Sequence, residues 1–166
     1  MRYLKEHFWK KNRGLQRSVN DLGREVLLSP NFNKSRYFTQ HGDVSVRRHS
    51  LDVARTSLDI SQKLEKLGIH SNKKDLVRGA LLHDYFLYDW HDKNRPDFKP
   101  WHGFYHPGVA LQNANKEYHL SPREKDIIKK HMWPLTVVPP MCREAWIVSA
   151  ADKVCSLRET LRGKHR

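Results

Sequence analysis

The stretch GALLHDYFLYDWH, residues 79–91, begins like the end of a buried helix and then changes character. Gly79, Ala80, Leu81 and Leu82 run directly into His83 and Asp84, and an aromatic and polar run from Tyr85 to His91 follows. An imidazole beside a carboxylate at the end of an apolar helix has two readings. One is a capped terminus with hydrogen-bonded polar groups. The other is a metal site. The dipeptide alone does not choose, so the periodicity of the flanking sequence has to.

Outward from this stretch the pattern is helical. Leu15, Val19, Leu22 and Val26 recur at steps of 4, 3 and 4, which predicts a helix over about 13–28. Pro30 and the asparagines of SPNFNKS end it. A second helix is predicted over about 44–67: Val46, His49, Val53, Ser57, Ile60, Leu64 and Leu67 step by 3 or 4, so His49 falls on the buried seam, and Gly68 suits the C-terminal cap. The third spans about 73–84, with Leu76, Ala80 and His83 on one face and Val77, Leu81 and Asp84 on the next. Residues 85–105 hold Pro96, Pro100 and Gly103 and little periodicity, and read as a long aromatic loop of the kind that serves as a lid or binding segment.

His106-Pro107 is predicted to open a fourth helix ending near Tyr118. Ser121-Pro122-Arg123-Glu124 has the form of a capping box and opens a fifth, in which Ile127 and Ile128 carry His131 inward. MWPLTVVPP is a rigid connector. The last helix covers about 142–161, where Ala145, Val148, Asp152 and Cys155 step by 3, 4 and 3. No alternating strand pair stands out; PLTVV is the nearest, and prolines bracket it. The expectation is an all-α single domain, a bundle of about six or more helices. Residues 1–43 form a helical extension packing on the core, 44–161 the domain proper, and 162–166 a basic tail.

A chain of 166 residues is long enough for one sizeable core. It is polar, with a mean hydropathy of −0.80, yet six Phe, five Trp and six Tyr argue against disorder. No apolar run is long enough to span a membrane, and the basic N-terminus lacks the apolar core of a secretory signal. Cys142 and Cys155 form neither a disulfide framework nor a CxxC knot, which points to a reducing cytoplasm. The net charge of +13 attracts anions such as phosphate esters and nucleotides. Nucleic acid is a less favoured partner, because the basic residues are dispersed and no binding motif accompanies them. Nothing in the sequence fixes an oligomeric state.

Eleven histidines are the compositional oddity. Four predicted helices each place a metal-ligand residue type on a buried stripe: His49, His83 with Asp84, His131 and Asp152; His106 stands at a helix start. An unpaired buried polar group costs about 1–3 kcal/mol, and a charge more. Several on separate helices are tolerable only if they meet and share something, and a divalent cation meets that condition.

These residues carry a resemblance. VRRHSLDVA, GALLHDY, HPGVAL, IIKKHMWP and SAADKV, in this order over about residues 44–160, are similar to the HD-domain superfamily of metal-dependent phosphohydrolases, and the local patterns resemble a bacterial subfamily of HD phosphohydrolases. The resemblance implies that His49, His83, Asp84 and Asp152 hold a first metal, that Asp84 bridges to a second, and that His106 and His131 complete a binuclear site. Many binuclear members carry a further histidine beside the position of His131; here that neighbour is Met132, which implies a less complete second site. One or two divalent ions are expected, and Fe, Mn, Ni, Zn or Mg all suit such ligands. Asp84 and Lys153 are the catalytic candidates. Arg48, Tyr88, His91, His102, Trp133 and Lys153 are the candidates for holding a small phosphate-containing substrate, nucleotides included. Tyr85, Trp90, Trp101 and Phe104 add to the aromatic surroundings. Two other readings remain open at this point: an HD-fold di-iron oxygenase, and a non-enzymatic module that binds nucleotide or nucleic acid.

Overall fold

The computed structural model describes residues 2–41, 43–92, 94 and 101–163, with the backbone alone at 2–10, 41, 102, 162 and 163. The basic tail from 164 onward lies outside the described residues. Among those described are eight α-helices: α1 (Arg2–Leu22), α2 (Arg24–Leu28), α3 (Pro30–Lys34), α4 (Val46–Glu65), α5 (Lys73–Leu82), α6 (His102–Glu117), α7 (Pro122–Lys130) and α8 (Arg143–Gly163). A 3-10 turn (Ser35–Tyr37) and a short antiparallel ribbon, β1 (Thr39–His41) with β2 (Val44–Ser45), lead into α4. The chain is the all-α bundle that its periodicity implies.

Helix α4 is the axis of the bundle. It packs most extensively on α5 and α8; α7 bridges α5 and α8, α6 packs on α7, and α1 lies across α4 and α5. Val53, Leu58, Leu76, Leu81, Ile127 and Val148 form the fully buried centre, and Leu15, Val19, Val26 and Phe32 from the N-terminal region belong to the same core. Burying side chains of this size stabilises by about 1.5–3 kcal/mol each.

The helix ends follow their caps. Ser45 accepts from the Arg48 amide, Asn72 from that of Asp75, and Ser121 with Glu124 completes the expected capping box of α7. Three features differ from the sequence reading. The first helix starts at Arg2 and is interrupted at Gly23, where an added Cβ would collide with Leu81 Cδ1 of α5 and stand 2.9 Å from the Val19 carbonyl. Helix α6 begins at His102, one turn before His106, so Pro107 sits inside it, in its second turn, where the missing amide leaves the Gly103 carbonyl without its helical partner. The β1–β2 ribbon was not expected, because strands this short carry no readable alternation.

Gly79 lets α5 and α7 approach closely: a Cβ there would lie 3.0 Å from Cβ and Cγ2 of Ile127. Beside Gly79, Arg78 ties α5 to the first turn of α7. Its guanidinium, 6% exposed, donates to Glu124, to Glu25 and to the His119 carbonyl, while Glu124 also accepts from the Ser121 amide at 2.8 Å. Removing one partner of a buried ion pair strands the other charge, which costs about 3–5 kcal/mol. Glu124→Ala, however, leaves Arg78 its pair with the exposed Glu25, so the variant is expected to lose about 1–3 kcal/mol in urea unfolding, the cost of the lost buried hydrogen bonds together with the α7 cap.

Asp126 holds the 131–142 connector to α7. Its Oδ2 accepts from the amides of Met141 (2.7 Å) and Cys142 (3.0 Å), and Lys130 lies 2.6 Å from Oδ1. Burial raises this carboxyl, but Lys130 and the two amides outweigh it and hold it below its usual value. A depressed carboxylate stabilises the fold above its unfolded pKa of about 3.9 and loses that contribution as pH falls towards the folded value. The stability difference between wild type and Asp126→Asn is thus expected to be constant near neutral pH and to shrink below about pH 4 in acid titrations of unfolding.

Candidate metal centre

The ends of α5 and α7 deliver His83 and His131 as C-cap residues, side by side, with ring centroids 4.8 Å apart. Each imidazole turns its Nδ1 onto the carbonyl three residues back, His83 onto Ala80 at 2.7 Å and His131 onto Ile128 at 2.9 Å. A carbonyl only accepts, so Nδ1 carries the hydrogen in both rings, and Nε2 is the atom presented to the interior. His49, fully buried on α4, is oriented in the same sense by Glu159 of α8, whose Oε2 lies 2.9 Å from Nδ1. This carboxylate–imidazole arrangement is the one that fixes the ring of a metal-ligating histidine.

The Nε2 atoms meet carboxylates. His49 Nε2 is 3.0 Å from Asp152 Oδ1 and 3.8 Å from Asp84 Oδ2; His83 Nε2 is 3.2 Å from Asp84 Oδ2 and 3.8 Å from Asp152 Oδ1. On the other side, Asp84 Oδ1 faces His106 Nε2 at 3.1 Å and His131 Nε2 at 3.5 Å, and these two nitrogens are 2.8 Å apart. Asp84 thus divides its oxygens: Oδ2 towards His49, His83 and Asp152, Oδ1 towards His106 and His131.

This set fits a cation. Ligand atoms of His49, His83 and Asp152 lie within 4.8 Å of one another, as do those of His83, Asp84 and His131. His83 Nε2 and Asp84 Oδ1 are buried and, although each lies within ion-pair distance of a partner, neither makes a hydrogen bond of good geometry among the described residues. The electrostatics agree. Burial pushes His49 down, but the Asp152 and Glu159 carboxylates outweigh it and raise it to about 9; His83 is likewise held well above its ordinary value by Asp84 and Asp152 against burial. Burial pushes Asp84 and Asp152 up, yet the surrounding imidazoles hold both well below the usual carboxylate range. His131, by contrast, is lowered by burial and keeps its lone pair. Two ionised carboxylates here require positive charge; the raised imidazoles of His49 and His83 supply it by binding protons, and a divalent ion can supply it instead by taking their lone pairs.

The profile of the HD domain family matches residues 46–157. The chain belongs to the HD domain family. No curated protein and no solved structure matches it. In this HD domain Asp84 sits at the floor of a cavity of about 690 Å³, and His106, His131 and Asp152 line it too, while His49 and His83 are fully buried against Asp84 and Asp152. A separate cavity of about 530 Å³ beside Gln16, Arg24 and Arg47 shares no residue with it.

The other candidates are placed unevenly. Lys153 lines the cavity, with Nζ donating to Ser149 Oγ at 2.8 Å and to the His131 carbonyl at 3.1 Å; burial lowers its pKa. Among the aromatics, Trp90 lines it, whereas Tyr85 is buried in the core against Tyr118, Tyr88 packs on Phe86, and Trp101 is exposed near Phe104. Trp133 packs edge-on against Trp146 at 4.8 Å. Arg48 is exposed and paired with Asp52, and His91 is exposed beside Asp89; neither lines the cavity. The His102 side chain lies outside the described residues. Met132 lines the cavity with Pro134 and Leu135, an apolar wall opposite the charged floor.

Two residues escaped the sequence reading. Glu159 continues the Ala145–Val148–Asp152–Cys155 stripe by one further step of four, so its signal was present in the periodicity. Gln40, on β1, donates from Nε2 to Asp84 Oδ2 at 2.7 Å, and no local pattern announces it. Glu159→Ala is expected to weaken divalent-ion binding by about 10–100-fold, as losses of ring-orienting carboxylates do, with calorimetric titration of Mn as the measurement.

Proposed function

We propose that this HD domain is a divalent-metal-dependent phosphohydrolase acting on a small phosphate ester, nucleotides included. The observation that carries the reading is Asp84, a buried carboxylate at the floor of a cavity, whose two oxygens face two separate imidazole groups. His49, His83, Asp84 and Asp152 would hold one ion, and Asp84, His106 and His131 a second. Divalent ions bound there supply charge relief at phosphoryl oxygens and lower the pKa of an attacking water.

The chain's own residues account for the rest. Glu159 and the Ala80 and Ile128 carbonyls hold three imidazoles in the tautomer that presents Nε2. Lys153 anchors its ammonium at the cavity edge on the carbonyl of His131, where it adds positive field for a phosphoryl group. Trp90, Met132, Pro134 and Leu135 offer an apolar surface to the remainder of the substrate and exclude water from one side. The free cysteines, one buried and one half-buried, suit the reducing cytoplasm as the place of work.

The test is a panel of phosphomonoesters, phosphodiesters, nucleotides and cyclic dinucleotides, assayed anaerobically with Mn, Fe, Ni, Mg or Zn. Hydrolysis without O₂ is the expected result, and Asp84→Ala is expected to lose ion binding and turnover together. Full turnover by metal-replete Asp84→Ala overturns the assignment. Turnover that needs iron and O₂ points instead to the oxygenase reading. Tight, steeply salt-dependent nucleic-acid binding with no turnover on any ester points to a binding module.

A further inference from the structure

Among the described residues before α4, one side chain, that of Gln40, reaches the candidate metal centre. Gln40 is 7% exposed on β1, a strand that packs on α4 and α8. The ribbon is fastened to the start of α4, where the Val46 amide donates to the Phe38 carbonyl at 2.8 Å. From this position the Gln40 amide reaches Asp84 Oδ2 at 2.7 Å and lines the cavity. A carboxylate oxygen can only accept, so Nε2 must face Asp84, and Oε1 takes the other end of the amide. That Oε1 is buried with no hydrogen-bond partner among the described residues. An orphaned acceptor costs about 1–3 kcal/mol, so the amide is held there at some expense to stability.

The consequence of the contact follows from how charge is shared. The group around His49 and His83 has two carboxylates, Asp84 and Asp152. In the group around His106 and His131, both Nε2 atoms face the same carboxylate oxygen, Asp84 Oδ1. An ion in that second group depends on the rotation of the Asp84 carboxylate, and a donor on Oδ2 restrains that rotation. We propose that Gln40 is a positioning residue: it locks Asp84 so that Oδ1 stays turned towards His106 and His131, and it thereby sets the affinity of the second ion. The segment ahead of the HD match is then part of the metal centre. The inference rests on the metal-dependent reading above and concerns the second ion specifically.

The experiment titrates the full chain with Mn, following stoichiometry by calorimetry and the ion–ion coupled signal by electron paramagnetic resonance. Gln40→Met keeps the side-chain length without the amide, and Gln40→Ala removes it; melting temperatures report folding for both. Wild type is expected to bind two ions. Both variants are expected to keep first-ion affinity near wild type, to lose second-ion affinity by about 10–100-fold, and to lose the coupled signal at matched Mn. With an ester identified, kcat at limiting Mn should fall with KM little changed, and excess Mn should restore it. Two ions bound as tightly in the variants as in wild type overturns the role of Gln40 and leaves the phosphohydrolase reading standing. Equal weakening of both ions, with a lowered melting temperature, also overturns it, because that is general loosening. A wild type that binds no divalent ion overturns the metal reading itself and this inference with it.

Discussion

A carboxylate at the centre of a helical bundle sets the terms for everything around it. Asp84 is 3% exposed and ionised, and a charge removed from water must be answered at close range on every side. Four imidazoles and one amide answer it, and they come from five different elements: β1, α4, the ends of α5 and α7, and α6. The helices therefore cannot be arranged by hydrophobic burial alone. Their stripes must bring these polar atoms into register, and the close α5–α7 crossing at Gly79 is one structural result.

The polar centre is kept in shape by groups that never face the cavity as ligands. Backbone carbonyls at the last turns of α5 and α7 orient two rings, and Glu159 orients a third. The buried Arg78–Glu124 pair ties the middle of α5 to the first turn of α7, beside the Gly79–Ile127 contact and away from the His83 and His131 ends of the two helices. Asp126 anchors the connector that carries Pro134 and Leu135, and the apolar wall of the cavity depends on that anchor. Ligand floor and apolar wall thus rest on separate supports.

Much of this was legible because helices repeat. Val46, His49 and Val53 share a face, so His49 had to point inward; the same reasoning placed His83, His131 and Asp152. Periodicity also contained Glu159, one step past the stripe that was followed. It could not contain Gln40, because a three-residue strand has no period and its partner is 44 positions away. The aromatic residues misled for a related reason. Tyr85 and Trp133 flank ligands in sequence, yet their neighbours are Tyr118 and Trp146, residues brought close only by folding. Pro107 points to a later start of α6 than the structure has, because proline favours a first turn without being confined to it and here sits in the second.

His83 and His131 are not merely on helices; they terminate them. The peptide dipoles of α5 and α7 accordingly end at this cavity, each adding about half a negative elementary charge to that of the two aspartates. Such a floor draws positive charge, and the raised imidazoles of His49 and His83, with the Lys153 ammonium standing on the His131 carbonyl, already answer part of it from the protein's own side chains.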